Sequence, residues 1–164
     1  MKWFAALTLI TLTSLTVFAV QDESTYVTNN RQQCIDFAFE IYNRTSDTSK
    51  SMDLAVSLCQ QVEDTVVLKL FYEWFYQNHN STAALDMAAK YGGFYAVGKY
   101  KVALFMFSIY NKNHNTDDSA HRAGEQMLKV PPHSEGCLER YFEIYNRNEM
   151  TDVAMDKAVE ACRY

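Results

Sequence analysis

The sequence predicts an all-α protein made of four helical hairpins of about 34 residues each. Three observations carry that expectation: one phrase recurs along the chain, apolar residues flank it at helical spacing, and polar turns or glycine and proline breaks separate the copies. The phrase Phe39-Glu40-Ile41-Tyr42-Asn43-Arg44 returns as Phe107-Ser108-Ile109-Tyr110-Asn111-Lys112 and as Phe142-Glu143-Ile144-Tyr145-Asn146-Arg147. Phe75-Tyr76-Gln77 is a fainter copy. The repeat is therefore anchored on Tyr42, Tyr76, Tyr110 and Tyr145, spaced 34, 34 and 35. Six residues later stand Thr48, Thr82, Thr116 and Thr151, and thirteen later Ala55, Ala89, Ala123 and Ala158. A shared helical rhythm explains apolar columns, but not a threonine recurring in a polar turn.

The elements follow in chain order. Met1-Lys2 and the apolar run from Trp3 to Phe18 read as a signal peptide, 1–19, cut before Val20; the run is too short and too interrupted by polar residues for a membrane span. Residues 20–164 then form one domain of about 145 residues, an ordinary domain size, with hairpins at approximately 28–62, 63–93, 94–130 and 133–164. In each hairpin the first arm carries an apolar stripe one, four, five and eight residues before the tyrosine, such as Ile41, Ala38, Phe37 and Cys34. The second arm carries the facing stripe, such as Met52, Ala55, Val56 and Cys59, with the small alanine column allowing close helix approach. In this reading the threonine column opens the second arm as its N-cap. Gly92-Gly93 ends copy two, and Pro131-Pro132 separates copies three and four, where the extra residue of the 35 spacing falls. Whether the hairpins stack as a short solenoid or close into an eight-helix bundle is left open.

The four cysteines stand eight before and seventeen after the tyrosine in the first and last copies, equidistant from the turn. Residues equidistant from the turn of an antiparallel hairpin lie at one height, so the expected bridges are Cys34 to Cys59 and Cys137 to Cys162. Disulfides fit a secreted chain better than zinc does, and no Cys-x-x-Cys pair is present. Terminal hairpins lack a neighbour on one side and gain most from such a bridge. Asn43-Arg44-Thr45 and Asn80-Ser81-Thr82 are glycosylation acceptors in predicted turns, so Asn43 and Asn80 are the candidate glycan sites.

Net charge is −5, or −6 once Lys2 leaves with the leader, so neither nucleic acid nor an anionic membrane is an expected partner. No catalytic, phosphate-binding or zinc motif is found, and no catalytic residue, metal site or cofactor is expected. His79 and His114 occupy corresponding turns and read as polar surface, with no carboxylate at a fixed offset; a shared metal or a pH-sensitive pair is the sharper alternative. The carboxylates Glu40 with Glu143, and Asp36 with Glu139, match because the repeats match. Phe39, Trp74, Phe107 and Phe142 lie off the core stripe and read as packing between hairpins or as an exposed binding patch.

The 34-residue helical hairpin, the aromatic late in its first helix, and Pro131 placed 21 after Tyr110 resemble the tetratricopeptide class. That resemblance implies paired helices stacked into a superhelix. Phe39, Phe107 and Phe142 stand where that class has a small residue, and its Trp and Leu-Gly elements are missing, so only the hairpin is carried over. In size and architecture the chain also resembles the small four-cysteine helical salivary proteins of blood-feeding flies, including the anophensin-like inhibitors of host plasma cascades. The cysteine spacing of 25, 78 and 25 departs from that of insect odorant-binding proteins, which have closely spaced pairs.

The expected function is that of a secreted, non-enzymatic protein-binding module, an inhibitor or effector acting on extracellular host or body-fluid proteins. The alternative is a carrier holding a small hydrophobic ligand in a helical-bundle cavity. Glycans on Asn43 and Asn80 would cover half of the turn edge. The other half, with Lys112 and Arg147, together with helix faces carrying Phe107 and Phe142, is the expected partner-binding surface.

Overall fold

The structure is a computed structural model that describes residues 23–94 and 96–163, with side chains from Asn30 onward. The predicted leader, 1–19, lies outside the described residues. Among the described residues eight α-helices follow one another: α1 (Glu23–Tyr42), α2 (Thr48–Cys59), α3 (Thr65–Phe75), α4 (Ser81–Ala88), α5 (Tyr100–Tyr110), α6 (Thr116–Met127), α7 (Glu135–Tyr145) and α8 (Thr151–Ala161). A π-helical turn, Ala89–Gly93, continues α4. Each odd helix packs antiparallel on the even helix after it, and each hairpin packs on the next through α1·α4, α3·α6 and α5·α8. Substantial packing joins consecutive hairpins only, so the stack is open and not a ring.

The structure moves the second repeat by one residue. After every odd helix, the amide four residues on returns to the carbonyl of the helix's last residue: Ser46 to Tyr42, His79 to Phe75, His114 to Tyr110, Glu149 to Tyr145, at 3.0–3.1 Å. Phe75, not Tyr76, is therefore the partner of the three tyrosines. Burial agrees, since Phe75 is fully buried while Tyr76 is half exposed. In this register the second-arm stripe of copy two is Leu85, Ala88, Ala89 and Gly92, all buried, whereas counting from Tyr76 would give the largely polar Asp86, Ala89, Lys90 and Gly93. The corrected spacings are 33, 35 and 35. The separation of the cysteine columns inside a hairpin is 25 in all four copies, so the length difference sits in the linker between hairpins one and two. Hairpins conserve length because their two arms pack residue against residue, whereas linkers do not.

Threonine is not the cap. Thr48, Thr116 and Thr151 are the first residues inside their helices and Thr82 the second inside α4. The cap is the residue before the helix: Asp47 accepts from the Lys50 amide, Asn80 from Ala83 and Asn115 from Asp118 at 2.9–3.0 Å. Asp and Asn cap well because a short side-chain oxygen reaches the third amide of the first turn. The last copy has Met150 at that place and no side-chain cap. Ser51 and Ser119 are fully buried, and each donates to the cap residue's carbonyl at 2.8 Å. Alanine takes the same column in copies two and four, as Ala84 and Ala154.

Both bridges join the predicted cysteines, Cys34 to Cys59 and Cys137 to Cys162, with Cα separations of 5.8 and 6.0 Å. Gly92 stands where those bridges stand, opposite Val67. A Cβ on it would lie 2.3 Å from the Phe71 ring, so the ring fills the volume that a cystine occupies in the end hairpins. Gly98 and His133, the two described residues with positive φ, share a column just before α5 and α7 (72° and 59°). Glycine adopts that backbone readily; His133 adopts it after Pro131-Pro132.

Candidate interaction surfaces

The junctions between hairpins repeat one set of contacts, and that set decides which side chains remain available to a partner. Across junction one-two the Tyr42 hydroxyl donates to Asp86 Oδ1 at 2.7 Å, and across junction three-four Tyr110 donates to Asp156 at 2.8 Å. Both phenols are held well above their ordinary range, first by burial and then by the hydrogen bond to a carboxylate. Junction two-three has Phe75 facing His121 instead, ring centroids 5.2 Å apart. His121 also stacks on Tyr91 at 4.0 Å, and its buried Nε2 has no hydrogen-bond partner.

The odd helices meet through aromatic rings. Phe37 meets Tyr72 edge-on at 5.3 Å and Phe105 meets Phe142 edge-on at 6.0 Å, while Trp74 stacks flat on Phe107 at 3.8 Å. These contacts correct the reading of Phe107 and Phe142 as a partner-binding patch. Both rings are spent between hairpins; Phe142 is buried and Phe107 half-buried. An odd helix receiving a neighbour fills the gap with a flat ring, which accounts for Tyr72, Phe107 and Phe142 at the place where tetratricopeptide repeats have a small residue.

At the turns, the histidines do have a carboxylate at a fixed offset, contrary to the sequence reading. His79 Nε2 lies 3.0 Å from Asp117 and His114 Nε2 2.7 Å from Asp152, 38 residues on in both cases. Asn78 and Asn113 reach the same two carboxylates. Thr45 and Thr82 make the equivalent contact at 3.2 Å. His79 and His114 thus lace consecutive turns and do not meet as a pair. Arg122 adds to the last junction, donating to Asp156 at 2.8 Å and lying over the Tyr110 ring at 4.7 Å. Burial works most strongly against its charge, but Asp156, Tyr110 and Asp152 together outweigh that and raise its pKa further.

What stays outside is the turn edge and the outer face of the odd helices. Lys112 and Arg147 are exposed at neighbouring tips, and Asn43 and Asn80 are exposed on the first two. Asn80 caps α4 through Oδ1, which leaves its amide nitrogen, the atom a glycan would join, pointing away from the cap bond. Glu40, Glu73 and Glu143 form one exposed column along the odd helices, with Ser108 at the fourth place, and Asp36 and Glu139 share another. Among the described residues no group of three or more His, Cys, Asp and Glu side chains is placed to hold a metal ion. Nor is any described helix long and apolar enough to cross a membrane. No family model, curated protein or solved structure matches the chain.

Proposed function

We propose that the protein is a secreted, non-enzymatic protein-binding module, an inhibitor or effector of another extracellular protein. The observation that supports this best is the open stack, which leaves the outer face of the odd helices, with a column of Glu40, Glu73, Ser108 and Glu143, and the turn edge exposed. Repeat stacks offer such extended surfaces to macromolecules. The two disulfides and the apolar leader in the sequence fit an extracellular location. The carrier alternative needs an interior cavity, whereas the interior is filled by side chains such as Tyr110, Phe71, Phe75 and Met106, all fully buried.

The partner-binding surface is the odd-helix face continuing onto the tips with Lys112 and Arg147. Its acidic column calls for a basic surface on the partner. The test is capture of ligands from plasma or tissue fluid, followed by two double variants, Glu73→Lys with Glu143→Lys and Lys112→Glu with Arg147→Glu. These side chains are exposed, so helicity should be unchanged while binding is lost in at least one pair. Full binding by both pairs would place the contact elsewhere. Organic extraction that released a stoichiometric lipid from the secreted protein would favour the carrier instead.

A further inference from the structure

We propose that the chain binds a second copy of itself head to tail, the open face of hairpin four seating on the open face of hairpin one. The inference rests on the junction columns, because the two ends of the stack carry the two complementary halves of the contact that recurs inside it.

Hairpin four presents the donating half. Tyr145 holds the place of Tyr42 and Tyr110, whose hydroxyls each reach an aspartate of the next hairpin. Ile144 holds the place of Ile41, Trp74 and Ile109; those three are covered by the next hairpin, at most 6% exposed, whereas Ile144 is 46% exposed. Lys157 holds the place of Arg122, which reaches Asp156 of the next hairpin; it turns back to Glu149 and lies over the Tyr145 ring. Beside them runs a groove of about 620 Å³ lined by Tyr145, Val153, Asp156, Lys157, Glu160 and Ala161.

Hairpin one presents the receiving half. Asp53 holds the place of Asp86 and Asp156, the two aspartates that accept a tyrosine hydroxyl, and it is exposed. Met52 holds the place of Leu85, Ala120 and Met155, which are fully buried under the preceding hairpin, yet it is 42% exposed. Phe39 holds the place of Tyr72, Phe107 and Phe142, the rings that meet the preceding odd helix.

Superimposing the internal junction on these ends pairs Tyr145 and Lys157 of one copy with Asp53 of the next. It also sets Arg140 against Asp36, at the columns where Phe37 lies under the Lys69 ammonium. Both charged pairs are therefore of opposite sign, and the apolar Ile144 and Met52 are covered together. A glycan on Asn43 would not obstruct this contact. Its counterparts Tyr76 and Asn111 stay exposed although their hairpins are stacked on both sides. Since the two faces differ, each added copy leaves both faces free at the ends, and short linear oligomers form with rising concentration.

Sedimentation velocity across a concentration series tests this on the purified chain. The expected result is a mass that climbs with concentration. Asp53→Lys alone and Lys157→Glu alone should each weaken association about tenfold. Mixing the two variants should restore it, because alternating copies then pair native Lys157 with native Asp53 at one contact and the two reversed charges at the next. Met52→Glu is an independent second variant that should also weaken it, with an unchanged helical spectrum as the folding control. Monomer alone up to about 1 mM would overturn the proposal. So would association that ignores Asp53→Lys but is abolished by Ile144→Asp, since that marks a symmetric contact of two fourth hairpins.

Discussion

The Tyr110 hydroxyl donates to Asp156 Oδ1 at 2.8 Å across the junction of hairpins three and four, from a side chain with no solvent exposure. Tyr42 and Asp86 repeat the relationship, and Phe75 with His121 breaks it. Tyr42→Phe and Tyr110→Phe should each lower stability by about 1.5–3 kcal/mol, the worth of a hydrogen bond to a charged acceptor. The Phe75→Tyr, His121→Asp double variant should be more stable than the sum of its single changes allows, since it rebuilds the pair. Urea unfolding of the four-member cycle measures the coupling.

Stability should also fall in alkali. Both phenols keep their protons in the folded chain above the value of about 10 at which an unfolded tyrosine ionises. The unfolded chain then binds fewer protons, so this contribution is complete below about pH 10 and declines as pH rises above it. Urea midpoints at about pH 8 and about pH 11 should differ more in the native chain than in the Tyr42→Phe, Tyr110→Phe variant. Equal differences would show that other groups set the alkaline limit.

Caps give a prediction that separates position from residue type. Asp47→Ala and Asn115→Ala should each cost about 1 kcal/mol, whereas Thr48→Ala and Thr116→Ala should be close to neutral. Met150→Asp, supplying the missing cap of α8, should raise stability by about 0.5–1 kcal/mol. Thermal melts of the five variants check the order.

Two glycines should respond oppositely to alanine. Gly92→Ala drives a Cβ to 2.3 Å from Phe71 and should cost about 1–3 kcal/mol. Gly136, inside α7, has nothing within 4 Å of its would-be Cβ, and Gly136→Ala should stabilise by up to about 1 kcal/mol. A shared sign in denaturant melts would contradict the packing described around Phe71.

The hairpins, the two cystines and the alternation of core and surface were legible because each depends on local spacing. The register of copy two was not, because Tyr76 follows Phe75 and an identity match favours the tyrosine. Only burial and the returning His79 amide show that the phenylalanine takes the repeat position. The threonine column was real, but its proximity to the true caps Asp47 and Asn115 disguised their role. Fixed offsets between copies also carry a signal: His79 to Asp117 and His114 to Asp152 are each 38 residues, the contact distance of one repeat plus three or four residues. Phe107 and Phe142 could not be assigned from one hairpin, since what covers them belongs to the hairpin before.

Each cystine spans only 25 residues and stays inside one hairpin. A chain emerging amino terminus first therefore has both thiols of its first bridge outside before the third and fourth hairpins exist, and the nearest available partner is the native one. Cys137 and Cys162 are made last, so an oxidant that acts as the chain emerges meets Cys34 and Cys59 first. The order of appearance along the chain thus favours the native pairing, and reoxidation of the fully reduced, full-length chain, which lacks that order, should accumulate more scrambled isomers than oxidation during synthesis.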